Sequence, residues 1–190
     1  KGRNSYWMRI DNILALTNGN LVNDPFVKKF ENLVFDSKDV KRGDLFIAFD
    51  EEMIEDAVFN GAYGVIFDKP TQITDTEIAW IKVQDCESAL KKLLRFELIE
   101  KDVNVYECNE ITLKLSLQVV TENNFVSVFG NIQEIYKSLS GIEENSTLLF
   151  CPALSDLSIF TDVKKIPSAS HDTIDIMEQT LFETSFIYND

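Results

Sequence analysis

The sequence predicts an α/β fold made of two lobes. Short apolar runs alternate along the chain with amphipathic segments, which is the order of strands and helices in that fold class. Apolar residues make up 45% of the chain and charged residues 26%, and only 7 Gly and 4 Pro are present, so the composition is that of a globular protein. A length of 190 residues suits one domain or two small ones that share a core.

The first half of the chain carries clear local signals for helices and strands. Asp11 is a good N-cap for a helix over 12–17, and Gly19 lies just past the end of that helix. Residues 26–35 are predicted to be extended, and Gly61 stands where a glycine commonly ends a helix. The remaining predicted elements are buried strands over 45–49, 64–68 and 78–83 and amphipathic helices over 51–60 and from Asp85 to about 99.

The second half repeats this alternation in shorter form. Its predicted elements are strands over 103–106, 125–129 and 146–151 and helices over 109–120 and 132–139. A further helix is predicted from His171 to about 179, followed by a strand over 181–188. Because the seam falls near residues 100–102, we predict one domain over 8–100 and a second over 101–190.

The charge balance excludes two broad classes of partner. With 18 basic and 32 acidic side chains the net charge is −14, so the chain repels the phosphates of nucleic acids and anionic lipid surfaces. The longest apolar runs are too short to span a bilayer, so membrane insertion is not expected. Cys86, Cys108 and Cys151 form no C-x-x-C pair, which fits buried, reduced thiols in a cytoplasmic protein.

Residues with catalytic potential are sparse. His171 is the only histidine, so any Ser-His-Asp or Cys-His site must use it, and its polar surroundings favour an exposed residue near a helix start. One histidine and three scattered cysteines do not supply a metal site, and the acidic run 50–56 is typical of a solvated helix face. Neither G-x-G-x-x-G nor G-x-x-x-x-G-K-[ST] occurs. We therefore expect no catalytic residue, no metal and no cofactor.

Four segments, taken in order, resemble one enzyme family. Residues 35–48, FDSKDVKRGDLFIA, resemble the signature D-S-R-x-V-x-x-G-D-L-F-V-A. Residues 12–22 resemble an opening I-A-x-x-L-x-G-x-L, residues 57–68 a helix–strand A-x-x-x-G-A-x-x-V-V, and residues 81–94 a strand–helix V-x-D-x-x-x-A-L-x-x-L. Together they resemble the Mur ligases, the MurF type above all and MurE next. The resemblance implies a Mur-ligase N-terminal-type domain over 8–100.

This resemblance implies a ligand site in the first domain. In the family this domain binds the UDP part of the substrate, and the matching positions here are Asp36, Ser37 and Lys38. Lys38 replaces the arginine of the signature, which keeps the charge but loses the planar, bidentate guanidinium. The alternative is an ordinary turn, in which Asp36 and Ser37 satisfy backbone groups and Lys38 is solvated.

The second domain of the family is an ATPase that opens with G-T-N-G-K-T. In the matching register Glu107 and Glu110 replace the two glycines and Ile111 replaces the lysine, whereas Asn109 and Thr112 are retained. Glycines allow the backbone to approach phosphate, and the lysine offsets phosphate charge. A carboxylate about 4 Å from a phosphate charge is repelled by about 4 kcal/mol at an effective dielectric near 20. These five positions are therefore not expected to bind ATP.

Later landmarks of the family fit only in part. Phe150 stands where a metal-linked glutamate is found, while Gly130-Asn131 followed by Glu134-Ile135 resembles the stretch G-N-x-N-N-E-I-G. The rest of the ATPase domain and the family's third domain find no room in 190 residues. The resemblance thus implies an abbreviated, degenerate P-loop-like α/β lobe over 101–190.

Four functional hypotheses follow, and the first is favoured. The chain is a catalytically inactive, MurF-like interaction or regulatory module with protein partners, linked to bacterial cell-wall (peptidoglycan) synthesis. The alternative is a binding module for a UDP-sugar or UDP-muramoyl peptide without ligase activity. The third is an active enzyme with relocated chemistry, and the fourth an unrelated α/β domain. Aromatic candidates for a partner surface are Tyr6, Trp7 and the terminal stretch 186–188.

Overall fold

The computed structural model describes residues 8–155, 157, 160 and 163–166. Parallel strands and helices alternate along this part of the chain, which confirms the α/β fold class. The chain separates into two compact units between Glu97 and Leu98, near the boundary predicted at 100/101. The predictions for 171–179 and 181–188 lie outside the described residues, as do His171 and the aromatic candidates Tyr6, Trp7 and 186–188.

The first unit is built on a sheet of five strands. The strands are β1 (Asn20–Leu21), β2 (Leu33–Val34), β3 (Leu45–Ile47), β4 (Gly64–Phe67) and β5 (Ala79–Lys82). Their order in the sheet is β1-β5-β4-β3-β2, and only β1 is antiparallel to its neighbour. The helices are α1 (Ile10–Thr17), α2 (Ile54–Phe59) and α3 (Cys86–Glu100). All residues of β3 and β4 are buried, as expected for parallel strands covered on both faces.

The ends of α1 differ from the sequence prediction. The helix begins at Ile10, with Arg9 at the N-cap position, so Asp11 is not the cap but lies in the first turn. There its negative charge faces the positive end of the helix dipole. At the other end Asn18 adopts the left-handed conformation, with φ of 54°, in place of Gly19. Gly19 has a different role, because a Cβ there would lie 2.8 Å from Cγ2 of Ile81.

Two further predictions are corrected by local hydrogen bonding. Residues 51–60 are not one helix: Asp50 accepts a hydrogen bond from the Glu52 amide, which starts a 3-10 turn over Glu51–Met53 before α2. Within 26–35 the paired strand is β2, Lys29 forms an isolated antiparallel bridge with Arg9, and the amides of Phe26, Phe30 and Glu31 donate to separate carbonyls. The glycine prediction holds, since Gly61 follows α2 with φ of 103°.

A large apolar cluster fills the space between the first sheet and α2. Its buried members are Val40, Phe46, Ala48, Ile54, Ala57, Ala62, Val65, Phe67, Ile78 and Trp80. The indole N–H of Trp80 donates to the Asp75 carbonyl at 2.6 Å, and the Trp80 ring packs edge-on against Phe67. A buried indole is stabilised by such a partner, so Trp80 combines apolar packing with an anchor for the loop before β5.

A buried carboxylate organises the turn that precedes β3. Asp44 is 1% exposed, and its two oxygens accept hydrogen bonds from the Asn32 side-chain amide and the Lys41 backbone amide, both at 2.8 Å. Gly43 has φ of 102°, a conformation that favours glycine, and its N–H donates to the Gly61 carbonyl at 3.2 Å. The turn 41–44 therefore links the segments that begin β2, β3 and β4.

The second unit contains a parallel sheet of four strands. The strands are β6 (Asn104–Glu107), β7 (Phe125–Val128), β8 (Thr147–Phe150) and β9 (Lys164–Lys165), in the order β7-β8-β6-β9. The helices are α4 (Glu110–Val119) and α5 (Ile132–Ser138). The predicted strands and helices over 103–151 are confirmed to within one residue at most of their ends. In the described part of the chain, no helix has the length and apolar character needed to cross a bilayer.

A capping box begins α5. The Asn131 side chain accepts a hydrogen bond from the Glu134 amide, and the Glu134 carboxylate accepts one from the Asn131 amide, both at 2.9 Å. Gly130 precedes this box with φ of 96°, and a Cβ there would collide with the Glu134 carboxylate. The residues Gly130, Asn131 and Glu134 are thus explained by helix initiation alone.

Asp44→Ala is expected to lower the free energy of unfolding by about 2–4 kcal/mol, because it leaves two donors without their acceptor. The control Asp39→Ala removes an exposed carboxylate and is expected to change the free energy by less than about 0.5 kcal/mol. Urea unfolding followed by tryptophan fluorescence measures both. Equal effects of the two substitutions would contradict the organising role of Asp44.

Candidate functional site

The predicted site residues all lie at the carboxyl ends of parallel strands. In open α/β sheets ligands bind at this edge, where the connections from strand to helix meet. Asp36, Ser37 and Lys38 follow β2 in the first unit. Residues 107–112 run from the end of β6 into α4 in the second unit. The two sets are described separately.

Asp36, Ser37 and Lys38 form the start of a tight 3-10 turn, Ser37–Asp39. The Asp36 carboxylate accepts a hydrogen bond from the Lys38 amide at 3.0 Å, so it is used as a cap. Ser37 is buried, and its carbonyl accepts a bond from the Asn60 side chain at 2.9 Å. Of these three residues only Lys38 is exposed. The three residues come together, and the ammonium of Lys38 is the group that can meet an anionic ligand.

Aspartates follow the neighbouring parallel strands as well. Asp50 follows β3, Asp68 follows β4 and Asp85 follows β5. Each carboxylate accepts a backbone N–H: Asp50 from Glu52 at 3.0 Å, Asp68 from Cys86 at 2.9 Å, and Asp85 from Ser88 at 2.7 Å. These acids start turns and helices at the same edge as Asp36, so an anion bound there meets a negative field. This pattern was not predicted, although an aspartate lies at the end of each predicted strand of the first unit or within two residues beyond it.

A polar cleft of about 350 Å³ lies between the end of α1 and the start of α3. It is lined by Thr17, Asn18, Gln84, Asp85, Ser88, Ala89 and Lys92. Hydrogen bonds from Ser88, first from its side chain, hold the pKa of Asp85 below its usual value, so this carboxylate stays charged. None of Asp36, Ser37 and Lys38 lines the cleft, and the sequence analysis did not anticipate it.

The connection from β6 to α4 is short. Glu107 is the last residue of β6 and pairs in register with Phe150 and Lys165. Only Cys108 and Asn109 separate the strand from the helix, which begins at Glu110. A phosphate-binding loop needs a wider connection whose backbone amides turn toward the ligand. Here the Cys108 amide instead donates to the Phe150 carbonyl at 2.9 Å.

The first turn of α4 is closed by its own side chains. The Asn109 side-chain oxygen accepts a hydrogen bond from the Thr112 amide at 2.8 Å. That amide is one of the donors that a phosphate takes at a helix N-terminus. Glu110 forms an ion pair with Lys114 at 2.5 Å, one helical turn further on. Asn109 and Glu110 therefore already supply the acceptor and the negative charge that favour a helix start.

Thr112 is placed in the core rather than at the surface. It is 0% exposed, and its hydroxyl has no hydrogen-bond partner among the described residues. The hydroxyl of Ser155, which follows β8, is also buried and also has no hydrogen-bond partner among the described residues. A buried hydroxyl without a partner destabilises the folded state, since its hydrogen bonds to water are not replaced.

The outer surface of this edge is apolar and acidic. Ile111 is 53% exposed, and Phe129 and Leu154, which follow β7 and β8, are exposed as well. Glu107 is partly buried and lies 3.9 Å from the Lys165 ammonium. Phe150, in the position of the family's glutamate, is buried at the end of β8. In the described part of the chain no three His, Cys, Asp or Glu side chains converge as ligands for a metal ion.

The fold defines the chain as a Mur ligase-like α/β protein. The crystal structure I of MurF from Acinetobacter baumannii superimposes with a TM-score of 0.57 and 18% identity over 77% of this chain and 35% of that chain. The structure of UDP-N-acetylmuramoylalanyl-D-glutamyl-2,6-diaminopimelate–D-alanyl-D-alanyl ligase from the same organism gives a TM-score of 0.56 and 18% identity, over 77% of this chain and 36% of that chain. The fold implied by the sequence resemblance is thus confirmed.

These similarities concern the fold alone. The chain spans about a third of the length of the structures it matches. No protein-family model matches the chain, and no curated protein matches it in sequence.

Thr112→Val is expected to raise the free energy of unfolding by about 0.5–1.5 kcal/mol, because it replaces an unpaired buried hydroxyl with a methyl group of similar shape. Ser116→Ala is the matched control in the same helix. The Ser116 hydroxyl donates to the Leu113 carbonyl and contacts the Ser127 hydroxyl, both at 2.7 Å, so its loss is expected to cost about 1 kcal/mol. Urea unfolding measures both, and destabilisation by Thr112→Val would show that its hydroxyl has a partner.

Proposed function

We propose that this chain is a catalytically inactive, MurF-like protein that acts as an interaction or regulatory module. The observation that carries the proposal is the side-chain cap at the start of α4, where the Asn109 side chain accepts a hydrogen bond from the Thr112 amide. A ligase of this fold type needs ATP phosphates at that point, and the sequence register there has neither the two glycines nor the lysine. The lobe over 101–190 is, in this proposal, a degenerate ATPase-like domain.

Electrostatics argue in the same direction. Glu107 and Glu110 add two carboxylates at the end of β6 and the start of α4, where Lys165 and Lys114 already pair with them. A bound triphosphate would therefore face like charges, at about 4 kcal/mol for each carboxylate that lies about 4 Å away. Mg-ATP is not expected to bind with useful affinity.

The surface that replaces the nucleotide site suits a protein partner. Ile111, Phe129 and Leu154 follow three neighbouring strands, and all three are exposed. Aromatic and aliphatic side chains that leave water on association are the usual source of affinity in protein interfaces. The likeness of the fold to MurF supports a link to bacterial cell-wall synthesis, with the partner drawn from that machinery.

The alternative proposal is a uridine-nucleotide module without ligase activity. It is supported by the position of Asp36, Ser37 and Lys38 at the carboxyl end of the first sheet, and by the exposed ammonium of Lys38. A UDP-sugar or UDP-muramoyl peptide is the ligand class in this proposal. The neighbouring aspartates oppose it, because they surround the diphosphate with negative charge.

Isothermal titration of the full chain tests both proposals. With Mg-ATP at millimolar concentration no saturable heat is expected. Saturable binding of Mg-ATP, or magnesium-dependent release of phosphate above a blank, would overturn the inactive-module proposal. Saturable binding of UDP or a UDP-muramoyl peptide that is lost in Lys38→Ala and retained in Lys41→Ala would favour the alternative. Lys41 is the control because it is exposed in the following turn.

Co-purification tests the interaction surface. Ile111→Asp and Phe129→Asp are expected to reduce recovery of protein partners from a lysate at least about tenfold, since each places a charge in an apolar contact. Phe59→Asp changes an even more exposed aromatic residue in the first unit and should leave recovery unchanged. Equal recovery with all three variants would contradict a partner at this edge.

A further inference from the structure

Two of the three cysteines are far apart in sequence but adjacent in the second sheet. Strands β6 and β8 pair in parallel, with Glu107 opposite Phe150 as the last pair of the ladder. Cys108 and Cys151 are the next residues on the two strands. The ladder continues to this point, since the Cys108 amide donates to the Phe150 carbonyl at 2.9 Å. The two cysteines therefore occupy neighbouring positions at the carboxyl edge of the sheet.

Both side chains point to the same face of that sheet. Cys108, Cys151, Leu113 of α4 and Leu149 of β8 belong to one buried cluster, and Tyr106 packs against it. Tyr106 and Leu149 lie two positions before the two cysteines, and alternate residues of a strand share a face. The thiols are thus directed into the same apolar space under α4.

The spacing of the strands suits a covalent bridge. Neighbouring strands lie about 4.8 Å apart, and disulfides join Cα atoms about 4.4–6.8 Å apart. Cys108 is 5% exposed and Cys151 3%, and both are free thiols. Burial, and then the nearby Cys151, raise the pKa of the Cys108 thiol to about 11, so the two thiols affect one another.

We propose that Cys108 and Cys151 are a modification site, at which hydrogen peroxide or a similarly small peroxide converts the two thiols into a disulfide between the ends of β6 and β8. A small oxidant is required because both sulfur atoms are buried. The reaction is slow at neutral pH, since burial raises the pKa of the Cys108 thiol and the thiolate is the attacking form. Cys86 does not take part, because it is buried in the first unit.

The chemistry balances without a cofactor. One thiolate attacks a peroxide oxygen, the O–O bond breaks, and hydroxide leaves as the sulfur becomes a sulfenic acid. The second thiolate attacks that sulfur, the S–O bond breaks, and water leaves after taking up a proton. Together the two thiols lose two electrons and two protons, and one peroxide is reduced to two water molecules.

The bridge fixes the connection between β6 and α4. It ties Cys108, directly before the Asn109 cap, to the segment that follows β8. The closed loop comprises α4, β7, α5 and β8, so the disulfide restricts the unfolded chain and stabilises the second unit. Ile111, Phe129 and Leu154 follow the strands β6, β7 and β8, so the bridge also makes the surface formed by these three residues more rigid.

The test is thiol counting on the full chain after peroxide treatment of the folded protein. Alkylation under denaturing conditions is expected to fall from three thiols to one, with a mass loss of about 2 Da and a Cys108–Cys151 peptide in a non-reducing digest. The melting temperature is expected to rise by at least about 5 °C and to return after reduction with dithiothreitol. Cys86→Ser should form the bridge, and Cys108→Ser and Cys151→Ser should not.

A second test is refolding from urea in a buffer of oxidised and reduced glutathione. All three thiols are accessible in the unfolded chain, so burial of the sulfur atoms does not limit disulfide formation. Cys108–Cys151 should again be the dominant disulfide, because the fold holds these two thiols together. The proposal is wrong if three thiols remain after both treatments, or if the dominant bridge includes Cys86. It is also wrong if the folded protein accumulates sulfinic acid at Cys108 or Cys151 without a cross-link.

Discussion

The geometry of the first unit depends on the buried carboxylate of Asp44. Its oxygens hold the Asn32 side chain and the Lys41 amide, and its own carbonyl accepts a bond from the Tyr63 amide at 2.8 Å. These three contacts connect the segments leading into β2, β3 and β4. Because the amino ends of the strands are aligned in this way, their carboxyl ends are aligned as well, and Asp36, Asp50 and Asp68 emerge at one edge.

The second unit shows how the same architecture can start a helix without a ligand. The carboxyl end of β6 is followed at once by a side-chain cap from Asn109 and an ion pair within α4. The space below is apolar, being formed by Leu113, Leu149 and the two cysteines. A side-chain cap competes with phosphate at a helix start, since the Thr112 amide that Asn109 occupies is one of the donors that a phosphate takes.

Hydrophobic periodicity and turn residues predicted most of the helices and strands. They do not reveal which distant segments contact one another. Gly61 and Asp85 act at helix ends as predicted, because capping depends on residues close in sequence. Asn109, predicted as the first residue of its helix, is instead the N-cap. Gly19 was misinterpreted as a helix terminator, because its close approach to Ile81 depends on the packing of α1 against β5. The sequence placed Asp36, Ser37 and Lys38 and residues 107–112 at strand ends, but the burial of Ser37 and Thr112 and the cleft beside Asp85 arise only from packing. The cysteines were considered scattered for the same reason, although Cys108 and Cys151 lie at or just beyond the ends of two predicted strands.

The two outermost strands of the first sheet, β1 and β2, contribute only two residues each to the ladder. Such short edge strands expose few unpaired N–H and C=O groups, so they offer a second chain few backbone partners for strand pairing. The residues after β1 continue to bond to the neighbouring strand β5. The Val22 amide donates to the Trp80 carbonyl at 2.9 Å, and the Asn23 side chain accepts a hydrogen bond from the Trp80 amide. In this way a sheet rich in buried aliphatic residues is protected against strand addition at both of its edges.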